Sequence, residues 1–205
     1  MRLNPKKCKE LEINFLKYQP VSLQPLRLGG TTVQCVKHYK LLGVYISSDL
    51  TWNKHVDHIM SKANKRLYAL RVLRRAGVQK EHMVRVYCSL IRSVLEYAVP
   101  VWASLPECLN ELLDSVQKKA LKIIFPGHNY ISALHISGLD SLSVRRDLLV
   151  HKFISKARVK EPITYIMPSR SAITHGYSLR SGESKENRVI GTTNRFNNFV
   201  TVRFQ

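Results

Sequence analysis

Residues 53–77 have the sequence NKHVDHIMSKANKRLYALRVLRRAG, and this stretch decides how the chain on either side of it is interpreted. Its apolar residues recur every three or four positions, which is the spacing of one face of an α-helix. They are Val56, Ile59, Met60, Ala63, Leu67, Leu70 and Leu73. Asp49 or Asn53 is suited to cap the start of such a helix, and Gly77 is typical of the residue just past its end. The sequence therefore predicts a long amphipathic helix from residue 53 to about 76.

The same stretch is strongly basic. Between Asn53 and Ala76 it holds seven Lys and Arg residues against the single acid Asp57, a local charge of +6. A solvated polar face is the simplest interpretation of one basic helix. The whole chain, however, carries 33 Lys+Arg against 14 Asp+Glu, a net charge of +19, and later helices are also basic, with Arg145 and Arg146 among their cations. Distributed positive charge of this kind favours a polyanionic partner.

We therefore predict binding to the phosphate backbone of nucleic acid. Most of the cations of residues 53–76 are expected opposite the apolar stripe, with Arg74 as the exception. The residues predicted to contact nucleic acid are Lys54, Lys62, Lys65, Arg66, Arg71, Arg75, Lys118 and Lys119.

The segments around this helix predict an α+β fold that is mostly α. Alternating residues over 10–15, the Gly29-Gly30 turn and the run 41–46 predict a small antiparallel sheet. Helical spacing then recurs near 80–98, where Pro100 is expected to end the helix, and over 106–125, 131–137 and 144–159. The predicted organisation is an N-terminal sheet (1–50), a helical bundle (51–162) and a weakly ordered, flexible basic tail with a terminal strand (163–205).

Several other classes of protein are not favoured. The N-terminus lacks a secretory signal, and the longest apolar stretch, near 94–105, is too short to span a bilayer. Four scattered cysteines are typical of reduced, intracellular thiols. The sequence is compatible with either the nucleus or the cytoplasm as the compartment. A membrane-surface role for the basic helix is a weaker alternative, and no membrane partner is expected.

A metal site and a catalytic centre are also not predicted. His55 and His58 are three apart, and Cys8, Cys35 and His38 lie in the sheet region, but the chain has no second cysteine pair at ligand spacing. Two-metal phosphoryl transfer needs clustered carboxylates. The aspartates are instead isolated, and they are Asp49, Asp57, Asp114, Asp140 and Asp147. We expect no metal, no cofactor and no catalytic residue in this chain. The main aromatic residues are expected to be core or half-buried, and they are Trp52, Tyr68, Tyr87, Tyr97 and Trp102.

Four blocks of sequence resemble one known family. The runs 39–56, 91–102 and 116–126 are similar, in that order, to segments that follow the catalytic palm in reverse transcriptases of jockey-type non-LTR retrotransposons. The run 193–199 is similar to a short motif near the end of these polyproteins. Ser93 departs from the pattern, because family members usually have proline there. The resemblance covers nearly the whole chain.

The resemblance implies a position within such an enzyme. Residues 4–9 look like the end of the palm, and the hairpin with Leu42 and Gly43 resembles the primer grip, which places the 3′ end of the growing strand. The helices from Asn53 onward would then be the thumb and connector, which hold the primer–template duplex. The fingers and the palm motifs with the catalytic aspartates, which use Mg²⁺ in the full-length enzyme, are expected upstream of residue 1.

Two functional hypotheses follow from these observations. In the first, the chain is a fragment of an RNA-directed DNA polymerase that is not an enzyme on its own. Such a fragment is able at most to bind an RNA–DNA hybrid or duplex through backbone phosphates, and its other partner is the missing palm and fingers region. In the second, it is a host-adopted basic helical module that binds nucleic acid or protein.

Overall fold

The computed structural model describes residues 4–14 and 24–159 of the 205-residue chain. Within these residues, short strands come first and helices follow, which confirms the predicted α+β, mostly α fold class. The predicted tail of 163–205, its terminal strand and the 193–199 motif lie outside the described residues.

The strands of the described part are short and pair two by two. They are β1 (Lys9–Glu10), β2 (Arg27–Leu28), β3 (Thr31–Thr32), β4 (Gln34–Cys35), β5 (His38–Leu41) and β6 (Val44–Ser47). The pairs β2–β3 and β5–β6 are antiparallel, and Gly29 and Gly30 form the predicted turn with φ of 54° and 77°.

The prediction of a single antiparallel sheet is wrong in two respects. The strands form three separate ladders, and β1 pairs with β4 in parallel. Residues 11–33 separate β1 from β4, which exceeds the dozen or so residues that a parallel crossover requires. The alternating pattern of residues 10–15 also predicts a longer strand than the structure has there, because β1 is only two residues long.

The helices of the described part follow a 3₁₀ turn at Pro5–Lys7. They are α1 (Asn53–Arg75), α2 (Lys80–Val86), a π-helical segment (Tyr87–Arg92), α3 (Ser93–Leu95), α4 (Val99–Trp102), α5 (Glu107–Ile124), α6 (Tyr130–Ser137) and α7 (Leu142–Val159). Gly77 follows α1 with a φ of 72°, as predicted.

The predicted cap of α1 is wrong. Trp52 occupies the cap position and makes no side-chain cap hydrogen bond. The Asp49 carboxylate instead accepts hydrogen bonds from the backbone N–H and the hydroxyl of Thr51, at 3.0 and 2.9 Å. Asn53 is the first helical residue, so its side chain is one position too late to cap.

The helix predicted near 80–98 is interrupted and ends early. Its middle turn widens into the π-helical segment, and its last helical residue is Leu95. Ala98 then adopts a left-handed conformation with a φ of 53°. Pro100 does not end this helix but lies in the first turn of α4, where a missing N–H costs no hydrogen bond.

One core joins the helices to the β5–β6 hairpin. The buried faces of α1 and α5 pack together, with Leu67, Leu70, Leu113 and Val116 fully or nearly fully buried. Val44 of β6 belongs to the same core. The hairpin therefore has a fixed place on the helical body, beside the first turns of α1.

Candidate nucleic-acid interface

The cations of α1 form two separate rows. Lys54, Lys62, Lys65, Arg71 and Arg75 are all exposed, as predicted. Side chains four apart lie on the same side of a helix, so Lys54, His58, Lys62 and Arg66 form one row. Lys65 lies beside this row. Arg71 and Arg75 form another row further along α1, so the predicted residues of α1 do not share one surface.

Arg66 already has a structural contact. Its side chain is partly buried, and its guanidinium donates a hydrogen bond to the backbone carbonyl of Leu90 in the π-helical segment. A π-helical turn leaves carbonyl groups without the usual partner, so Arg66 stabilises this widened turn. This contact removes part of its capacity to bind phosphate.

The β5–β6 hairpin brings one further cation to the first row. Tyr45 and Lys40 are cross-strand partners, and the Lys40 Nζ lies 5.5 Å from the centre of the Tyr45 ring. The other neighbour of Tyr45 is His58, whose ring centre lies 4.9 Å away. We call Lys40, Tyr45, Lys54, His58 and Lys62 the hairpin–helix junction.

Sequence reasoning missed Lys40. The two-residue Leu42-Gly43 turn pairs Lys40 with Tyr45, and that register can be inferred from the sequence. The docking of the Tyr45 ring on His58 is a tertiary contact between residues thirteen apart, for which the sequence carries no periodic pattern.

The three lysines around His58 make the junction positively charged. Burial, and then the charges of Lys40, Lys62 and Lys54, lower the pKa of the His58 imidazole. Three ion pairs join described side chains, and their cations are Arg92, Arg145 and Arg146. The junction lysines are in none of these pairs, so their charge is directed at solvent.

His55 anchors the hairpin from inside the core. Its side chain is fully buried, and its Nδ1 accepts a hydrogen bond from the backbone N–H of Tyr45 at 3.4 Å. The Trp102 ring lies edge-on at 5.3 Å, and the His55 Nε2 has no hydrogen-bond partner among the described residues. Burial, and to a lesser extent the charge of His58, lower the pKa of His55 from 6.5 to about 4.

Acidification should therefore destabilise the fold. The pKa of His55 is about 6.5 when unfolded and about 4 when folded, so the stabilisation is complete above 6.5 and is lost as the pH falls towards 4. We expect a loss of about 1–2 kcal/mol between about pH 7 and about pH 5. Urea unfolding at the two pH values measures it.

The matched control for this prediction is the exposed His82. His82→Gln should keep the pH dependence of the unfolding free energy, whereas His55→Gln should be less stable at neutral pH and should lose most of this pH dependence. An unchanged pH dependence in His55→Gln would contradict the assignment.

The tip of the hairpin is held by Tyr97. Leu42 and Gly43 both have positive φ, at 47° and 89°, as a tight two-residue hairpin turn requires. The Tyr97 hydroxyl donates a hydrogen bond to the Leu42 carbonyl at 2.8 Å. Leu42 itself is 84% exposed, so a strained apolar residue projects into solvent at the end of the hairpin.

Gly43→Ala should destabilise the protein more than Gly127→Ala. The two glycines have nearly the same φ, 89° and 88°, so each substitution should cost about 1 kcal/mol in backbone strain. A Cβ at Gly43 would also lie 3.2 Å from the Tyr97 ring, whereas one at Gly127 meets nothing within 4 Å. We expect an extra cost of about 0.5–1 kcal/mol at Gly43, measured by urea unfolding. Equal losses would contradict the tip contact.

The other predicted cations are placed on different elements. Lys118 and Lys119 are exposed on α5, and the Lys118 Nζ lies 5.5 Å from the centre of the Tyr130 ring. Arg146 is buried, and it donates hydrogen bonds to Asn110 and Asp114 at 3.0 and 3.4 Å. The interpretation of Arg146 as part of the distributed positive charge was therefore wrong, because Arg146 is buried and paired with Asp114. Arg145 pairs with Glu96 at 3.2 Å.

Two of the aromatic residues expected to be core or half-buried are more than half exposed. Tyr68 and Tyr97 are 61% and 52% exposed, whereas Tyr87 and Trp102 are fully buried, as expected. The position of Tyr68 on α1 faces away from α5. Tyr97 follows the end of α3, where helical spacing no longer predicts burial.

Among the described residues, no group of three or more His, Cys, Asp or Glu side chains is arranged to hold a metal ion. In the same part of the chain, no helix combines the length and apolar character needed to cross a bilayer. Comparison of the chain with protein-family models, curated proteins and solved structures gave no significant match.

Proposed function

We propose that this chain binds the sugar–phosphate backbone of a primer–template duplex. The observation that carries the proposal is the hairpin–helix junction, where Lys40, Lys54 and Lys62 converge from two elements around His58. Lysine side chains that are not paired with carboxylates are suited to neutralise phosphates and release their counterions. The protein in this proposal is part of a reverse transcriptase of a non-LTR retrotransposon, as the sequence resemblance implies.

The hairpin tip supports the same proposal. Leu42 keeps a conformation that costs a leucine about 1 kcal/mol or more, and its side chain packs against little of the protein. Strain of this kind suggests a functional contact rather than a stabilising one. In the proposal, Leu42 and Gly43 contact the sugar or base at the primer terminus, while the junction beside them holds the backbone.

The proposal assigns binding, and not synthesis, to this chain. In the family that it resembles, the aspartates that hold Mg²⁺ belong to the palm, so polymerisation would require the partner region upstream. Leu42, Gly43 and the junction lysines would position the duplex relative to that region.

Salt dependence of binding tests the proposal. The full chain is titrated into a labelled RNA–DNA hybrid and a DNA duplex of equal length, and anisotropy gives the affinity at several salt concentrations. Three phosphate contacts predict a log–log slope of about −2.7, which is about a 40-fold loss of affinity from about 50 to about 200 mM salt. Absence of binding, or an affinity that is insensitive to salt, would refute the proposal. Primer extension with the same hybrid should give no product.

A protein partner is the second candidate function. Two apolar side chains one turn apart on α7, Val144 and Leu148, are about half exposed. Clustered apolar surface is typical of protein interfaces. If these residues bind a protein and the junction binds nothing, the chain is an interaction module without a role in duplex binding.

A further inference from the structure

We propose that His58 is the titratable member of a phosphate site at the hairpin–helix junction, where binding of a backbone phosphate between the lysines is coupled to the uptake of one proton by His58. This inference rests on the proposed function and adds a regulation of the same site by pH. It concerns the residues of the junction alone.

The geometry places His58 between the cations. Its ring packs against Tyr45, and Tyr45 carries Lys40 near its ring and pairs with it across the hairpin. Lys54 and Lys62 lie one turn before and one turn after His58 on α1. A phosphate that contacts these lysines therefore lies next to the imidazole of His58, which is only partly buried and keeps access to solvent.

The charged groups that act on His58 disfavour its protonation in the free protein. Lys40 from β5 and Lys54 and Lys62 from α1 lower the pKa of the ring, after the effect of burial. Tyr45 from β6 contributes a neutral ring, and the buried His55 on the same helix stays neutral because its own pKa is about 4. His58 is therefore harder to protonate than an ordinary histidine when no anion is bound.

A bound phosphate favours the protonation of His58. Its negative charge offsets the repulsion of the lysines and attracts a proton to the ring, so the pKa of His58 rises when the anion binds. By linkage, a ligand that raises a pKa binds more tightly as the pH falls through that range. The proton comes from the solvent, and His58 then adds a fourth positive charge and an N–H donor to the site.

The experiment measures proton uptake on binding by the full chain. Titration calorimetry with a short RNA–DNA hybrid is performed in two buffers of different ionisation enthalpy, and affinities are compared at about pH 8 and about pH 6. We expect the wild-type protein to bind about three- to tenfold more tightly at the lower pH, with net proton uptake. His58→Gln should lose most of this pH dependence, whereas His82→Gln, an exposed histidine on α2, should keep it.

A second measurement, made on the wild-type protein, tests the proton uptake by His58 if His58→Gln folds poorly. The His58 imidazole is titrated by NMR with and without the hybrid, and its pKa should rise in the complex. An unchanged pKa, or the same pH dependence in His58→Gln as in the wild type, would overturn the inference while leaving salt-dependent binding intact. Absence of any hybrid binding would overturn the proposed function as well, so the two failures are distinguishable.

Discussion

Replacing Lys40, Lys54 and Lys62 together by glutamine should weaken duplex binding by about 100-fold at low salt. Each lysine is expected to contact one phosphate, and three charge-assisted contacts worth roughly 1 kcal/mol each give a loss of this size. The log–log salt slope should become shallower by about three, because three fewer counterions are released. Anisotropy titrations with the labelled hybrid measure both quantities, and circular dichroism checks that the fold is kept.

The matched control changes the same amount of charge elsewhere. Lys80, Lys152 and Lys156 are exposed on α2 and α7, outside the junction. Their joint replacement by glutamine lowers the net charge equally, yet we expect a loss of less than about threefold, because in the proposal none of these lysines contacts a phosphate and salt screens the charges of exposed side chains. Equal losses in the two triple variants would mean that binding follows net charge and that the junction is not a site.

Replacing Trp102 by alanine should cost about 3–5 kcal/mol of unfolding free energy. Trp102 is fully buried, its Nε1 donates a hydrogen bond to the Tyr97 carbonyl at 2.8 Å, and its ring packs on His55. Truncation leaves a cavity and frees both residues that anchor the hairpin. The hairpin should loosen more than the rest of the protein, and urea unfolding monitored at 222 nm measures the overall loss.

Trp102→Phe separates the contribution of the buried ring from that of the hydrogen bond donated by Nε1. Phenylalanine keeps an aromatic ring in the pocket but has no N–H to donate to the Tyr97 carbonyl, so we expect an intermediate loss of about 1–3 kcal/mol. If Trp102→Ala were destabilised by less than about 1 kcal/mol, the proposed anchoring of the hairpin through His55 and Tyr97 would be wrong.

The helical part of the fold follows from local sequence patterns. The apolar spacing in 53–76 specifies both the helix and the face that it buries, because 3.6-residue periodicity acts within a single element. Gly77 and the Gly29-Gly30 turn are also local, since they depend on backbone conformations that glycine adopts without strain. These features are the ones that the structure confirms.

The features that sequence reasoning missed depend on contacts between elements. The parallel pairing of β1 with β4, the burial of Arg146 against Asp114 and the docking of Tyr45 on His58 each join residues that no periodic pattern relates. The candidate site was therefore predicted in part. Lys54 and Lys62 were identified from their helix face, whereas Lys40 and the role of His58 required the hairpin to be placed on α1.

Hydrogen–deuterium exchange with and without the RNA–DNA hybrid tests the central claim most directly. If the junction is the surface that holds the duplex, saturating hybrid should slow amide exchange in β5, β6 and the first three turns of α1. The outer faces of α5 and α7 should change little. Protection confined to α5 or α7, with unchanged exchange over residues 38–47 and 53–63, would contradict the account.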